Sequence, residues 1–77
     1  PLVTSFEQVE TTSGSRQPKE VTAKYKIVPV EDGESLFQID TGGSADRQNP
    51  GKQSQTLQLS RESAKELWTL LGNHFRF

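Results

Sequence analysis

The chain predicts an α+β fold: a four-stranded antiparallel sheet followed by one C-terminal amphipathic helix packed on one face. Three observations carry this expectation. Apolar and polar residues alternate with period two in the middle of the chain, an Asp-Gly pair sits between two such alternating runs, and beyond residue 60 the period lengthens to that of a helix. The whole length, residues 1–77, is expected to form one small domain, with no internal repeat.

The first strand is expected within residues 2–10, LVTSFEQVE, where Leu2, Phe6 and Val9 are apolar anchors and Val3 and Thr4 add β-branched side chains. Gly14 and Pro18 break that run, as neither suits a strand interior. From Val21 the alternation is regular. Val21, Ala23, Tyr25 and Ile27 fall on one face; Thr22, Lys24, Lys26 and Val28 fall on the other. Pro29 closes this strand, and Glu31-Asp32-Gly33-Glu34 supplies a tight hairpin turn through residues that tolerate positive φ. The returning strand is SLFQIDT, with Phe37, Ile39 and Thr41 opposed to Leu36, Gln38 and Asp40.

Residues 41–55, TGGSADRQNPGKQSQ, lack any large apolar side chain and read as a long polar loop, with Gly42 and Gly43 ending a strand or forming a bulge. The fourth strand, SQTLQLS, places Gln55, Leu57 and Leu59 on one face. Ser60 then has the features of a helix N-cap, with Leu59 and Ala64 at the positions of a hydrophobic staple. Ala64, Leu67, Trp68 and Leu71 recur at i, i+3, i+4 and i+7, and Leu70 widens the stripe. Gly72-Asn73 is expected to stop the helix, leaving His74, Phe75 and Phe77 in a short tail.

Composition narrows the function classes. Only 30% of the residues are hydrophobic, so the core is thin, and the missing burial is expected to come from a second copy or a larger protein partner. Without cysteine there are no disulfides or thiolate metal sites, and a single histidine cannot build a multi-histidine cluster; no metal and no cofactor are expected. No run approaches the ~18 apolar residues of a membrane span, and no basic, then apolar, leader opens the chain, so the expected setting is cytoplasmic with no membrane partner.

Catalysis is not expected. His74 is the sole side chain suited to act as an ordinary base near neutral pH, and its place beyond the helix stop suits a cap-like surface histidine. Asp40 and Asp46 match no metal-ligand spacing, and the TGGS glycines lack the spacing and following helix of a phosphate loop.

Binding residues are easier to nominate. The net charge of −1 argues against a polyanion binder that works by bulk charge, yet residues 16–26 carry Arg16, Lys19, Lys24 and Lys26 against Glu20 alone. Lys24-Tyr25-Lys26 has the local composition of a single-strand-binding sheet, although alternation turns Tyr25 away from both lysines and toward the apolar face, where a core role suits it better. Arg47 and Lys52 sit on the long loop, where they are either placed to reach phosphates or merely solvated. Leu67, Trp68, Leu71 and Phe75 are the candidate residues for a dimer or partner interface.

Residues 50–67, PGKQSQTLQLSRESAKEL, resemble the end of the transcriptional positive cofactor four family, single-stranded DNA-binding coactivators. Pro50, Gly51 and Lys52 match that family's Pro-Gly-basic loop, Leu57 and Leu59 its last strand, Ser60 its polar cap and Leu67 its helix. The resemblance implies a curved four-stranded antiparallel sheet, a helix-mediated homodimer, and nucleic acid on the concave sheet face, with Lys24, Lys26, Arg47 and Lys52 as the cations to test. The leading expectation is therefore a non-enzymatic nucleic-acid-binding protein. A protein-interaction or dimerisation module that docks on a larger partner is the alternative.

Overall fold

A computed structural model of the protein describes residues 1–11, 14, 17–42 and 53–77, with the side chains of 53 and 54 left aside. Its elements follow the order β1 (Leu2–Val3), β2 (Ala23–Val28), β3 (Leu36–Gly42), β4 (Gln53–Leu59) and α1 (Arg61–Phe75). The α+β class is as the two periodicities predict, and four strands form one sheet.

The expectation of a wholly antiparallel sheet is corrected. The strands lie in the order β1-β4-β3-β2, with β2–β3 and β3–β4 antiparallel but β1 parallel to β4. The reason is topological. β2, β3 and β4 form an up-down-up meander, and the chain crosses from β1 at one edge back to the starting end of β2 at the other, so β1, β2 and β4 run the same way. The first strand is also far shorter than residues 2–10: pairing stops after Leu2↔Gln58 and Val3↔Leu59, with a further bond from the Gln58 amide to the Pro1 carbonyl at 2.8 Å. Beyond it, Phe6, Glu7 and Gln8 line a cleft of about 460 Å³ with Glu66, Leu70, Asn73 and His74 of α1. The apolar anchor Phe6, which suggests a strand there, belongs to a non-strand segment that lies beside the helix.

The expected β2–β3 hairpin forms, with Tyr25 opposite Ile39 and Lys24 opposite Asp40. Asp32 takes the left-handed conformation at φ 49, a position that its short polar side chain tolerates. At the other end of β3 the pairing shifts: Thr41 faces Gln55 but Gly42 faces Gln53, leaving Ser54 as an extra residue, which is the bulge expected near Gly42. Both ends of the 41–55 run therefore belong to strands. Gly43, Asp46, Arg47 and Lys52 lie outside the described residues, as does Arg16.

Side chains alternate across a strand and paired residues share a face, so the registers divide the sheet cleanly. One face carries Val3, Leu59, Leu57, Ile39, Phe37, Tyr25 and Ile27. The other carries Lys24, Lys26, Gln38, Asp40, Thr56 and Gln58.

Ser60 caps α1 as its sequence position predicts. Its Oγ accepts from the Ser63 amide at 3.2 Å while the Ser63 Oγ accepts from the Ser60 amide at 2.9 Å, a reciprocal capping box that satisfies two backbone donors. The predicted stop at Gly72-Asn73 is overturned: α1 continues to Phe75, and Arg76 ends it in the left-handed conformation (φ 66, ψ 47), its amide bonded to the Gly72 carbonyl at 2.8 Å. Glycine inside a helix costs about 1 kcal/mol relative to alanine, which a continuing helix tolerates. At Gly72 there is a local reason for it, since a Cβ there would stand 3.2 Å from the Phe77 carbonyl oxygen as the tail folds back.

The helix does not place its apolar stripe against the sheet. Ser63 is buried and Ala64 and Leu67 are half-buried, whereas Trp68, Leu70, Leu71 and Phe75 are all exposed. A single residue separates β4 from α1, so the first turns are held beside the end of β4 and the apolar residues further along are left uncovered. Among the described residues, Leu59 at 4% exposure is the one buried hydrophobic side chain.

Candidate binding surfaces

The polar face of the sheet is built from residues that bond to one another. Thr56 Oγ1 donates to Asp40 Oδ1 at 2.8 Å, Gln38 Nε2 donates to both Asp40 carboxylate oxygens at 3.0 and 3.1 Å, and Gln58 Nε2 donates to Gln38 Oε1 at 2.9 Å. Alternation and register bring these four together: Asp40 pairs with Thr56 and Gln38 with Gln58 across the same two strands. Asp40 is buried, and its acceptor oxygens are met by these donors. The network fixes side chains that would otherwise lose contact with water at a cost.

Lys24 and Lys26 extend this face onto the outer strand. Each stands beside a member of the network, Lys24 across from Asp40 and Lys26 across from Gln38. Both are exposed, and among the described residues the outer side of β2 pairs with no other strand.

The opposite side of β2 holds Tyr25, and here the expectation of a core tyrosine is corrected. Tyr25 is 70% exposed, with its ring stacked on that of Phe37 at a centroid separation of 5.2 Å and an interplanar angle of 16°. The pair is diagonal, since Tyr25 is opposite Ile39 and Phe37 is opposite Ile27. Edge position explains the exposure: among the described residues no strand lies beyond β2 and nothing covers this part of the apolar face. Ile27 and Leu57 are exposed on it as well.

A second group of exposed rings belongs to α1 and its tail. Trp68 and Phe75 are each 62% exposed and Phe77 is 77% exposed. Phe75 and Phe77 lie parallel at 6.3 Å, the His74 ring meets Phe75 edge-on at 4.4 Å, and Lys65 Nζ stands 5.7 Å from the Trp68 ring centre. Trp68, Thr69, Gly72, Asn73 and Phe77 border a hollow of about 200 Å³. His74 thus sits in the last turn of the helix instead of in a tail beyond it.

Of the residues nominated from sequence, Lys24 and Lys26 share one face of one strand, and Leu67, Trp68, Leu71 and Phe75 share α1, with Leu67 half-buried. Arg47 and Lys52 fall outside the described residues. The Tyr25–Phe37 stack and the Asp40 network were not nominated. The second has a signal in the sequence, as Gln38, Asp40, Thr56 and Gln58 occupy the polar phase of both alternating runs. Among the described residues no group of three His, Asp or Glu is placed to hold a metal ion, and no helix is long and apolar enough to cross a membrane.

The described residues form a four-stranded mixed sheet with β2 at one edge, followed by a helix whose Trp68, Leu70, Leu71 and Phe75 are exposed. Comparison with known proteins finds no significant match to a family model, a curated protein or a solved structure.

Proposed function

We propose that this chain is a non-catalytic module that binds single-stranded nucleic acid along β2. The observation that carries the reading is the exposed Tyr25 ring, held flat by its stack on Phe37 and flanked in sequence by Lys24 and Lys26. A ring already oriented by a neighbour loses little freedom when a base stacks on it, and such stacking contributes about 1–3 kcal/mol per base. The two lysines project from the other side of the same edge strand, where their flexible stems can follow a backbone that wraps the edge. With a net charge of −1, attraction is local to this strand and is not a property of the whole molecule.

The test is fluorescence anisotropy with labelled single-stranded and duplex oligonucleotides at several salt concentrations. Single strands are expected to bind more tightly than duplex, with affinity falling as salt rises. Lys24→Ala/Lys26→Ala should flatten the logarithmic salt slope by about 1.4, because each phosphate contact on a single strand contributes about 0.7. Tyr25→Ala should weaken binding by about tenfold or more while leaving that slope unchanged. Arg47→Ala/Lys52→Ala reports whether the segment between β3 and β4 takes part. Absence of binding at low salt, or a Tyr25→Ala protein that binds as well as the parent, would sink the proposal.

A second reading has its own observation. Trp68, Leu71, Phe75 and Phe77 form an exposed apolar group on and beside α1, which suits a protein-interaction module. Binding through this surface would respond little to salt.

A further inference from the structure

We infer that the cleft between residues 6–8 and α1 takes up an arginine side chain of another polypeptide, its guanidinium held between Glu7 and Glu66 and its stem lying along Phe6 and Leu70. None of the lining residues belongs to β2, so the site stands or falls independently of nucleic-acid binding there.

The cleft measures about 460 Å³, within the range of about 300–1,000 Å³ typical of ligand pockets. Its two walls come from different parts of the chain, and each brings one carboxylate and one apolar side chain: Glu7 and Phe6 from the N-terminal segment, Glu66 and Leu70 from α1. Among the described residues no Lys or Arg lines it. Such a lining suits a ligand that is apolar along its length and positive at its end, as arginine and lysine side chains are.

The chain's own cations leave this charge unanswered. Glu66 has no cation three or four positions away in either direction, and the residue four before it, Glu62, is another carboxylate, an unfavourable arrangement on a helix. Arg61 pairs with Glu34 at 3.3 Å, and Lys65 Nζ is directed to the Trp68 ring, 5.7 Å from its centre. Among the described residues neither Glu7 nor Glu66 has an ion pair. Asn73 and His74 place one end of the cleft at the last turn of α1, where unpaired backbone carbonyls give the helix a partial negative charge. Two carboxylates and a helix end therefore act with the same sign, and a cation entering the cleft meets no fixed positive charge.

Arginine suits the lining better than lysine. A guanidinium offers five donors in a planar fork and stacks on aromatic rings, whereas an ammonium is a strongly hydrated point charge. Here the acceptors are spread over both walls, the two carboxylates together with the side-chain carbonyls of Gln8 and Asn73, and Phe6 supplies the ring. Phe6 is half-buried while the other lining residues are exposed, so the open rim leaves room for the backbone to which such a side chain is attached.

The test is a titration followed by heteronuclear NMR, with a glycine-serine peptide carrying one central arginine as the probe. Its counterpart with citrulline keeps the shape and loses the charge. Amide shifts are expected to move at residues 6–8 and 66–74 and to stay in place along β2. Glu7→Gln and Glu66→Gln should each weaken binding by about two- to fivefold, the worth of an exposed ion pair, and citrulline by about tenfold, since both pairs are lost. Phe6→Leu should weaken it by a similar two- to fivefold, roughly the value of an exposed cation–π contact, with circular dichroism unchanged. Glu31→Gln makes the same change in net charge at the hairpin turn and should leave the affinity as it is. Absence of binding at low salt, equal binding of the citrulline peptide, or a loss with Glu31→Gln as large as with Glu66→Gln overturns the inference. Free arginine amide that binds as tightly as the peptide overturns the polypeptide as occupant.

Discussion

Leu57 and Leu59 offer a matched pair for asking where the fold is held together. Both are leucines, both lie on β4, and their side chains share one face of the sheet. Leu59 is 4% exposed while Leu57 is 37% exposed. Truncating a buried leucine to alanine costs about 2–5 kcal/mol, from the lost transfer of three carbons and the cavity that remains. For 77 residues the total stability is about 4–12 kcal/mol, so Leu59→Ala alone should remove at least about a sixth of it and roughly 40% at mid-range values. Leu57→Ala begins from a side chain already partly hydrated and leaves an open dent instead of a cavity, so a loss of about 1 kcal/mol or less is expected. Urea unfolding followed by circular dichroism gives both values, provided that the slopes agree with the parent's. The series should be run at two protein concentrations, because a dimer adds a concentration term to every midpoint. Equal losses for the two variants, or a loss for Leu59→Ala below about 1 kcal/mol, would refute the placement of the small core at the end of β4.

Three other substitutions address the helix and its surroundings. Ser60→Ala removes one half of the capping box and should lower stability by about 1 kcal/mol, or roughly 4–8 °C in midpoint, with the loss of amide protection concentrated in the first turn of α1, as read by hydrogen exchange. Gly72→Ala should gain less than the ~1 kcal/mol that helix propensity alone promises, because the new Cβ meets the Phe77 carbonyl oxygen; deleting Phe77 as well should recover the difference in a double-mutant cycle. The Arg61–Glu34 ion pair, 3.3 Å long and exposed on both sides, should contribute little, so Glu34→Gln is expected to change the urea midpoint by no more than about 0.5 kcal/mol equivalent.

The parts of this fold legible in the sequence are those decided locally. Tyr25, Ile27, Phe37 and Ile39 alternate without interruption, and Asp32 needs no distant residue to turn the chain, so the hairpin follows from its own composition. Ser60 is similar, because a cap is a bond between residues three apart. The parts that were not legible depend on what lies beside an element. Residues 4–10 carry the apolar anchors Phe6 and Val9, yet β4 ends at Leu59 opposite Val3, so no strand is left beside them, and Phe6 lies beside α1 instead. Both the edge that β1 joins and its direction there depend on the long connection to β2, and nothing within Leu2–Val3 encodes either. Tyr25 has the sequence context of a core residue; its exposure comes from β2 being the last strand, a property of strand order alone. Gly72-Asn73 has the composition of a stop, but the return of Phe77 over Gly72 gives the glycine another use.

Lys24 and Lys26 are asked to serve two physical ends, and the structure lets the two be told apart. As charges on an open edge they keep β2 from pairing with another strand, a purpose that any solvated cation or anion on that face would meet. As phosphate contacts they must be positive, and their effect must fade with salt. Glutamate at both positions preserves the first property and reverses the second, so the two purposes make opposite demands on that variant. The same logic extends to the apolar side of the strand. An edge guarded on its polar face can leave Tyr25 and Ile27 uncovered without inviting strand addition, since a strand pairing there would also have to meet the lysines. Exposure of Tyr25 is then compatible with an edge strand that takes on no further strand.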